Sequence, residues 1–207
     1  MRFFIALEIP DENKQELKLV QEKIKQILPD IRLTDNDKLH LTIAFVGEQP
    51  EEIKNDLIKV ISNAVAGISN FVVIPAYIDG FPNIHHPHTI WVGVKGEIDK
   101  LLLMEERVKD GLKELQLPVD ERRYIPHIAV AKADKYFELT SLKEKLLQNT
   151  TSSFFSEGKQ SHGFSREAGQ SHGLFDPIEI KSIKLFESIP EGGLHTHNTL
   201  AEIKLSA

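Results

Sequence analysis

Apolar positions along this chain follow two rhythms, one of period two and one of helical period. Residues 2–9 are almost continuously apolar and β-compatible, and Pro10 ends them. Asp11 stands at the expected N-cap of a helix whose buried face carries Leu17, Val20, Ile24 and Ile27. A second strand is predicted over 39–46, closed by Gly47, and Pro50-Glu51-Glu52 opens a helix with Ile53, Leu57, Val60, Ile61 and Ala64 on one stripe. Strands are predicted over 71–74 and 89–94, joined by a loop that holds Gly80-Phe81-Pro82-Asn83-Ile84. A third helix, 98–115, repeats Leu101, Met104, Val108, Leu112 and Leu115. Pro118 and Pro126 punctuate the approach to a strand at 127–132, a helix follows over about 139–147, and 178–188 and 200–205 read as late strands.

Helices alternate with strands, and two of the strands, His40-Leu41-Thr42-Ile43 and His127-Ile128-Ala129-Val130, begin alike. The pattern predicts an α+β fold of two similar lobes within one domain of 207 residues. Residues 150–174 depart from it. They are polar and glycine-bearing, and Gln160-Ser161-His162-Gly163-Phe164 recurs as Gln170-Ser171-His172-Gly173-Leu174. Such a stretch reads as a flexible surface insertion.

Composition narrows the chemistry. The chain has no cysteine, which removes disulfides, thiolate nucleophiles and sulfur-ligated metals. Its net charge is −6, and no dense Lys/Arg block is present, so a nucleic-acid partner is expected to be held at its end rather than along its length. An acidic residue, Glu8, arrives too early for a signal peptide, and no apolar run approaches the roughly 18 residues of a membrane helix. We therefore expect a cytoplasmic monomer with neither a membrane association nor an obligate protein partner.

Side chains at i and i+2 of a strand share a face. His40 and Thr42 then point one way while Leu41 and Ile43 point the other, and His127 and Ala129 repeat this. If the strands lie side by side, both imidazoles line one cleft. Such a pair suits phosphodiester cleavage without metal or cofactor: one neutral ring takes a proton and the other, protonated, delivers one. Thr42 is suited to donate its hydroxyl to a non-bridging phosphate oxygen.

These residues resemble the 2H phosphoesterase superfamily, and within it the RNA 2′,3′-cyclic phosphodiesterases described as 2′-5′ RNA ligases. The similar segments are Met1 to Leu7, Leu39-His40-Leu41-Thr42-Ile43-Ala44-Phe45-Val46-Gly47, Gly80-Phe81-Pro82-Asn83 with Pro87, Trp91-Val92-Gly93-Val94, Pro126-His127-Ile128-Ala129-Val130-Ala131-Lys132, and Ile183-Lys184-Leu185-Phe186-Glu187-Ser188. The resemblance implies two pseudo-symmetric lobes with antiparallel sheets flanking a central cleft, and opening of RNA or nucleotide 2′,3′-cyclic phosphate ends to 2′-phosphates. It makes His40 and His127 the acid–base pair, with His40 protonating the leaving 3′ oxygen and His127 activating water. Two departures stand out. Ala129 replaces the family's Thr or Ser, removing a phosphate donor, and Lys132 replaces an arginine, keeping charge but losing bidentate contact. They leave two alternatives open: an attenuated or non-catalytic RNA-end binder, and a phosphodiesterase acting on another cyclic nucleotide derivative.

Other residues invite weighing. His85, His86 and His88 cluster, as do His195 and His197; such clusters read either as a zinc site or as substrate-facing or solvated histidines, and no metal is expected. His162 and His172 ride on the predicted insertion. Phe81, beside Gly80, is the stacking candidate for a base, whereas Trp91 lies in an apolar strand and reads as core. Arg122, with Arg123 beside it, either meets phosphate or is an ordinary solvated charge. Asp79 and Asp120 have no partner visible in sequence.

Overall fold

The computed structural model describes residues 1–82, 87–133, 175–191 and 194–207. The helix predicted over 139–147, the insertion at 150–174, and His85, His86, His162 and His172 lie outside the described residues. No helix among those described is long and apolar enough to cross a membrane.

The strands are β1 (Arg2–Glu8), β2 (Arg32–Leu33), β3 (His40–Glu48), β4 (Phe71–Phe81), β5 (Thr89–Gly96), β6 (His127–Lys132), β7 (Ile178–Ile180), β8 (Ser182–Glu191) and β9 (Leu194–Lys204). The helices are α1 (Asp11–Ile27), α2 (Lys54–Val65) and α3 (Ile98–Glu114). The fold is α+β, as expected, but the two halves share one antiparallel sheet in the order β7-β4-β5-β6-β3-β1-β8-β9, with β2 added beside β6. The halves meet where β3 runs beside β6, in register at Leu41 and Ile128.

The alternation read from sequence explains which face is buried. Leu41, Ile43 and Val46 of β3 and Ile128 and Val130 of β6 enter the core under the helices, so their intervening neighbours emerge on the opposite, open face. Each fully buried Leu or Ile contributes about 1.5–3 kcal/mol relative to exposure. Helix α3, which follows β5 in sequence, packs across β3, while α1, which follows β1, packs on β6. The helices thus clamp the two halves crosswise. Gln21 of α1 adds a polar tie, its buried Nε2 donating to the carbonyls of Thr34, at 2.6 Å, and Val130, at 2.8 Å.

Several boundaries differ from the sequence reading, for physical reasons. Pro10, not Asp11, is the N-cap of α1, and Asp11 takes the first turn, where its charge complements the helix dipole. Glu51–Ile53 forms a short 3₁₀ turn, with Pro50 as its N-cap, before α2 begins at Lys54. The sequence pattern predicts a four-residue strand from Phe71; β4 instead runs to Phe81, because a register shift between Pro75 and Tyr77 absorbs the missing N–H of Pro75. Gly80 and Phe81 are therefore strand residues and not a loop. The last strands form one long hairpin, so β9 begins at Leu194 and carries His195 and His197 in a ladder.

Gly93 is needed for a close approach. It pairs with Tyr77, and a Cβ there would sit 2.2 Å from the Tyr77 Cζ, inside the ring. The Tyr77 ring in turn packs edge-on to Trp91 at 5.6 Å. We expect Gly93→Ala to lower stability by about 1–3 kcal/mol through displacement of Tyr77. It should also shift the emission of Trp91, the chain's sole tryptophan. Urea unfolding and fluorescence check this, and an unchanged midpoint and spectrum would refute it.

Candidate active site

The open face of the sheet gathers the site. With Leu41 opposite Ile128 in an antiparallel pair, His40 falls opposite Ala129 and Thr42 falls opposite His127. The two imidazoles are therefore diagonal neighbours on one face, at a spacing of about 7–8 Å between their strand positions. The electrostatic influence of His127 on His40 agrees with that proximity.

Both rings are held in the same way. His40 Nδ1 lies 2.7 Å from the carbonyl of Lys38, and His127 Nδ1 lies 2.7 Å from the carbonyl of Ile125. A carbonyl only accepts, so each Nδ1 carries the hydrogen, and each neutral ring keeps its lone pair on Nε2. Lys38 closes a 3₁₀ turn before β3, and Ile125 precedes the proline before β6. The same carbonyl two residues upstream thus fixes the tautomer in both signatures. Burial pushes both pKa values below the ordinary histidine value, and His127 and Lys132 add repulsion at His40.

The rings differ in their walls. His127 stands edge-on to Phe81 at 4.9 Å and to Trp91 at 5.5 Å, and those two aromatics pack at 4.9 Å. Trp91, expected in the core, is indeed buried, yet it lies opposite Ala129 and walls His127. His40 rests on Phe4 at 5.1 Å, and Phe4 stacks on Phe186 at 5.0 Å. Phe4, Ala6 and Phe186 form a small apolar cluster separate from the main core. A register shift between Phe3 and Phe4 brings Phe45, 68% exposed, opposite Phe4.

Among the residues singled out from sequence, His40, Thr42, His127, Ala129 and Phe81 converge, and Lys132 lies close enough to repel a proton on His40. Arg122 does not join them. It is exposed and grips Asp120 through two nitrogens, Nε at 2.9 Å to Oδ1 and Nη2 to Oδ2. The arginine holds the Asp120 carboxyl down to about 2. Asp120 and Arg122 are two residues apart, so this local pair forms without tertiary help and leaves neither for the cleft. Asp79 accepts from the N–H of Gly80 at 2.8 Å.

Two participants escaped the sequence reading. Tyr124, in the segment before β6, donates its hydroxyl to the backbone carbonyl of Thr42 at 2.9 Å and so braces one signature against the other. Burial, with Glu105 nearby, raises its pKa and keeps the phenol protonated. His197 of β9 reaches the His40 ring edge-on at 5.5 Å. A lone tyrosine before a proline carries no sequence signal. His197 was visible only as one of a pair of histidines.

Residues 9–156 match the model of the 2′-5′ RNA ligase superfamily. An RNA 2′,3′-cyclic phosphodiesterase of Methanocaldococcus jannaschii is 30% identical over 70% of this chain and 79% of its own length. The enzyme of the same name from Thermotoga maritima is 24% identical over 66% of this chain and 72% of its own. Among solved structures, TT0787 of Thermus thermophilus superposes with a TM-score of 0.74 at 20% identity, covering 99% of this chain and 98% of that one. Escherichia coli LigT, in a structure complexed with 3′-AMP, gives 0.70 at 17% identity, covering 100% and 98%. The match to the family model over most of the chain, together with the M. jannaschii relative, establishes that this chain belongs to the 2′-5′ RNA ligase superfamily.

Proposed function

We propose that this chain is an RNA 2′,3′-cyclic phosphodiesterase that opens cyclic phosphate ends of RNA or nucleotides to 2′-phosphates, with His40 and His127 as its acid–base pair. The observation that carries the reading is the pairing itself: two imidazoles on one open face, each tied through Nδ1 to a carbonyl and each left with Nε2 for chemistry. The names of the related archaeal and bacterial enzymes support the substrate class.

With His127 as base and His40 as acid, as the family resemblance implies, the step balances within the pair. Water attacks phosphorus, its proton passes to His127 Nε2, the bond from phosphorus to the 3′ oxygen breaks, and His40 Nε2 delivers a proton to that oxygen. Proton exchange with solvent then restores both rings. The inventory needs no further group, so turnover is expected to persist in EDTA. Thr42, opposite His127, is the side-chain donor for a non-bridging oxygen, and Lys132 contributes charge. Phe81, partly exposed and backed by the buried Trp91, offers an aromatic surface against which a base can pack.

Ala129 favours a second reading, an attenuated enzyme or RNA-end binder. It lies opposite His40 where a hydroxyl would mirror Thr42. A hydrogen bond to a charged group contributes about 1.5–3 kcal/mol, so the missing donor corresponds to roughly a ten- to hundredfold loss in rate.

Three measurements test these readings. On an RNA ending in a 2′,3′-cyclic phosphate, His40→Ala and His127→Ala should each abolish release of the 2′-phosphate while circular dichroism stays native. Turnover retained in either variant would overturn the pair. Ala129→Thr should raise the rate about ten- to hundredfold; no turnover in either the wild type or this variant would favour the binder. The kcat/KM profile should be bell-shaped and centred below pH 6.5, because burial lowers both free-enzyme pKa values. The apparent values belong to the pair. The kcat profile should lie at higher pH, since bound phosphate favours protonated imidazole, and a kcat/KM optimum above neutrality would contradict the assignment.

A further inference from the structure

His197 lies on the last strand, three strands away from His40 along the order β3-β1-β8-β9. In a flat sheet that separation is about 14 Å. Here the ring centres are 5.5 Å apart, because the β8–β9 hairpin curls over the open face. His197 pairs with Ser188 on β8 and packs edge-on against Phe4 of β1 at 4.8 Å, half-buried. It belongs to neither signature, yet it walls His40 on the side where His127 has no counterpart.

The groups that repel a proton on this ring are Lys38 of the turn before β3 and Lys132 of β6, with His40 of β3 and His195 of its own strand adding to them when protonated. The nearest carboxylate on β1, Glu8, stands opposite His40 but is ion-paired with Lys184 of β8. Lys38 is likewise paired with Asp35. Ser188 turns its hydroxyl to His195 at 3.1 Å. Burial first, and repulsion from those neighbours next, hold the His197 pKa down to about 4, so the ring is neutral at pH 7 in the free protein. An anion entering beside His40 offsets the repulsion and stabilises the protonated ring.

We propose that His197 is a third imidazole of the phosphate site, binding the anion on the His40 side and taking up a proton as it does so. This rests on the phosphodiesterase reading for the place of the phosphate, and it deepens that reading. It makes His197 a substrate-binding residue, apart from the pair that moves protons during turnover. It also makes the cleft asymmetric: an ionisable wall beside His40, and an aromatic wall of Phe81 and Trp91 beside His127.

The test compares the wild type with His197→Phe, which keeps a ring against Phe4 and His40 but removes the proton site, and with His197→Gln, which keeps a neutral donor. Cytidine 2′-monophosphate and, separately, inorganic phosphate are titrated calorimetrically at pH 6 in two buffers of different ionisation enthalpy. Wild type should take up more protons on binding than His197→Phe, by several tenths of a proton per site. Affinity should fall about tenfold in His197→Phe and recover in part, without the extra uptake, in His197→Gln. The KM for the cyclic substrate should rise by a similar factor, with kcat changed less. Equal proton uptake in wild type and His197→Phe overturns the inference, including where affinity falls, since packing alone then explains the residue. A wild type that binds neither probe also overturns it. Parallel assay of the wild type on the cyclic RNA end separates the two claims. Lost turnover with intact His197-dependent binding rejects the phosphodiesterase reading alone, and turnover with unchanged binding in His197→Phe rejects the inference alone.

Discussion

Everything at the candidate site depends on the antiparallel pairing of β3 with β6. The Leu41–Ile128 register sets His40 beside Ala129 and Thr42 beside His127, and it decides that all four emerge on the same face. A slip of one residue would turn one signature's imidazole into the core and bring its isoleucine or leucine out. That slip is opposed from the buried side. Leu41, Ile43, Ile128 and Val130 are all held under helices that cross from one half to the other. Gln21 grips the β6 carbonyl of Val130, and Tyr124 grips that of Thr42. The core therefore fixes the geometry of the signature residues from the opposite face of the sheet.

The pseudo-symmetry has a chemical meaning as well as an architectural one. Each histidine donates through Nδ1 to the carbonyl two residues before it, at the same 2.7 Å. This makes the two rings equivalent in tautomer and leaves their difference to the neighbours. One ring is enclosed by Phe81 and Trp91, the other by Phe4 and His197. An acid and a base of identical type need such unequal surroundings if their proton affinities are to diverge during a reaction.

The acidic balance of the whole molecule is consistent with this arrangement. A net charge of −6 belongs to the surface, whereas the open face beside β3 and β6 presents imidazoles together with Lys38 and Lys132. Focusing of that kind lets an acidic protein present a locally cationic face. The pairing of Arg122 with Asp120 outside the cleft shows the complement: a cation near a signature in sequence is spent locally when a carboxylate stands two residues away.

By itself the sequence determined the strand phase and the reactive types. Period-two alternation placed His40 with Thr42 and His127 with Ala129, and helical periodicity marked the buried stripes of α1, α2 and α3, because these depend only on local backbone geometry. It misjudged β4 and β9, where proline and histidine mask strands that are held by long hairpins. Only the tertiary structure decided that the two halves share one sheet, that Trp91 walls His127 while remaining buried, and that Tyr124 links the signatures. Above all, it brought His197 from the far end of the sheet to His40. Such contacts join residues separated by many tens of positions, and they arise from sheet curl, which no local pattern encodes.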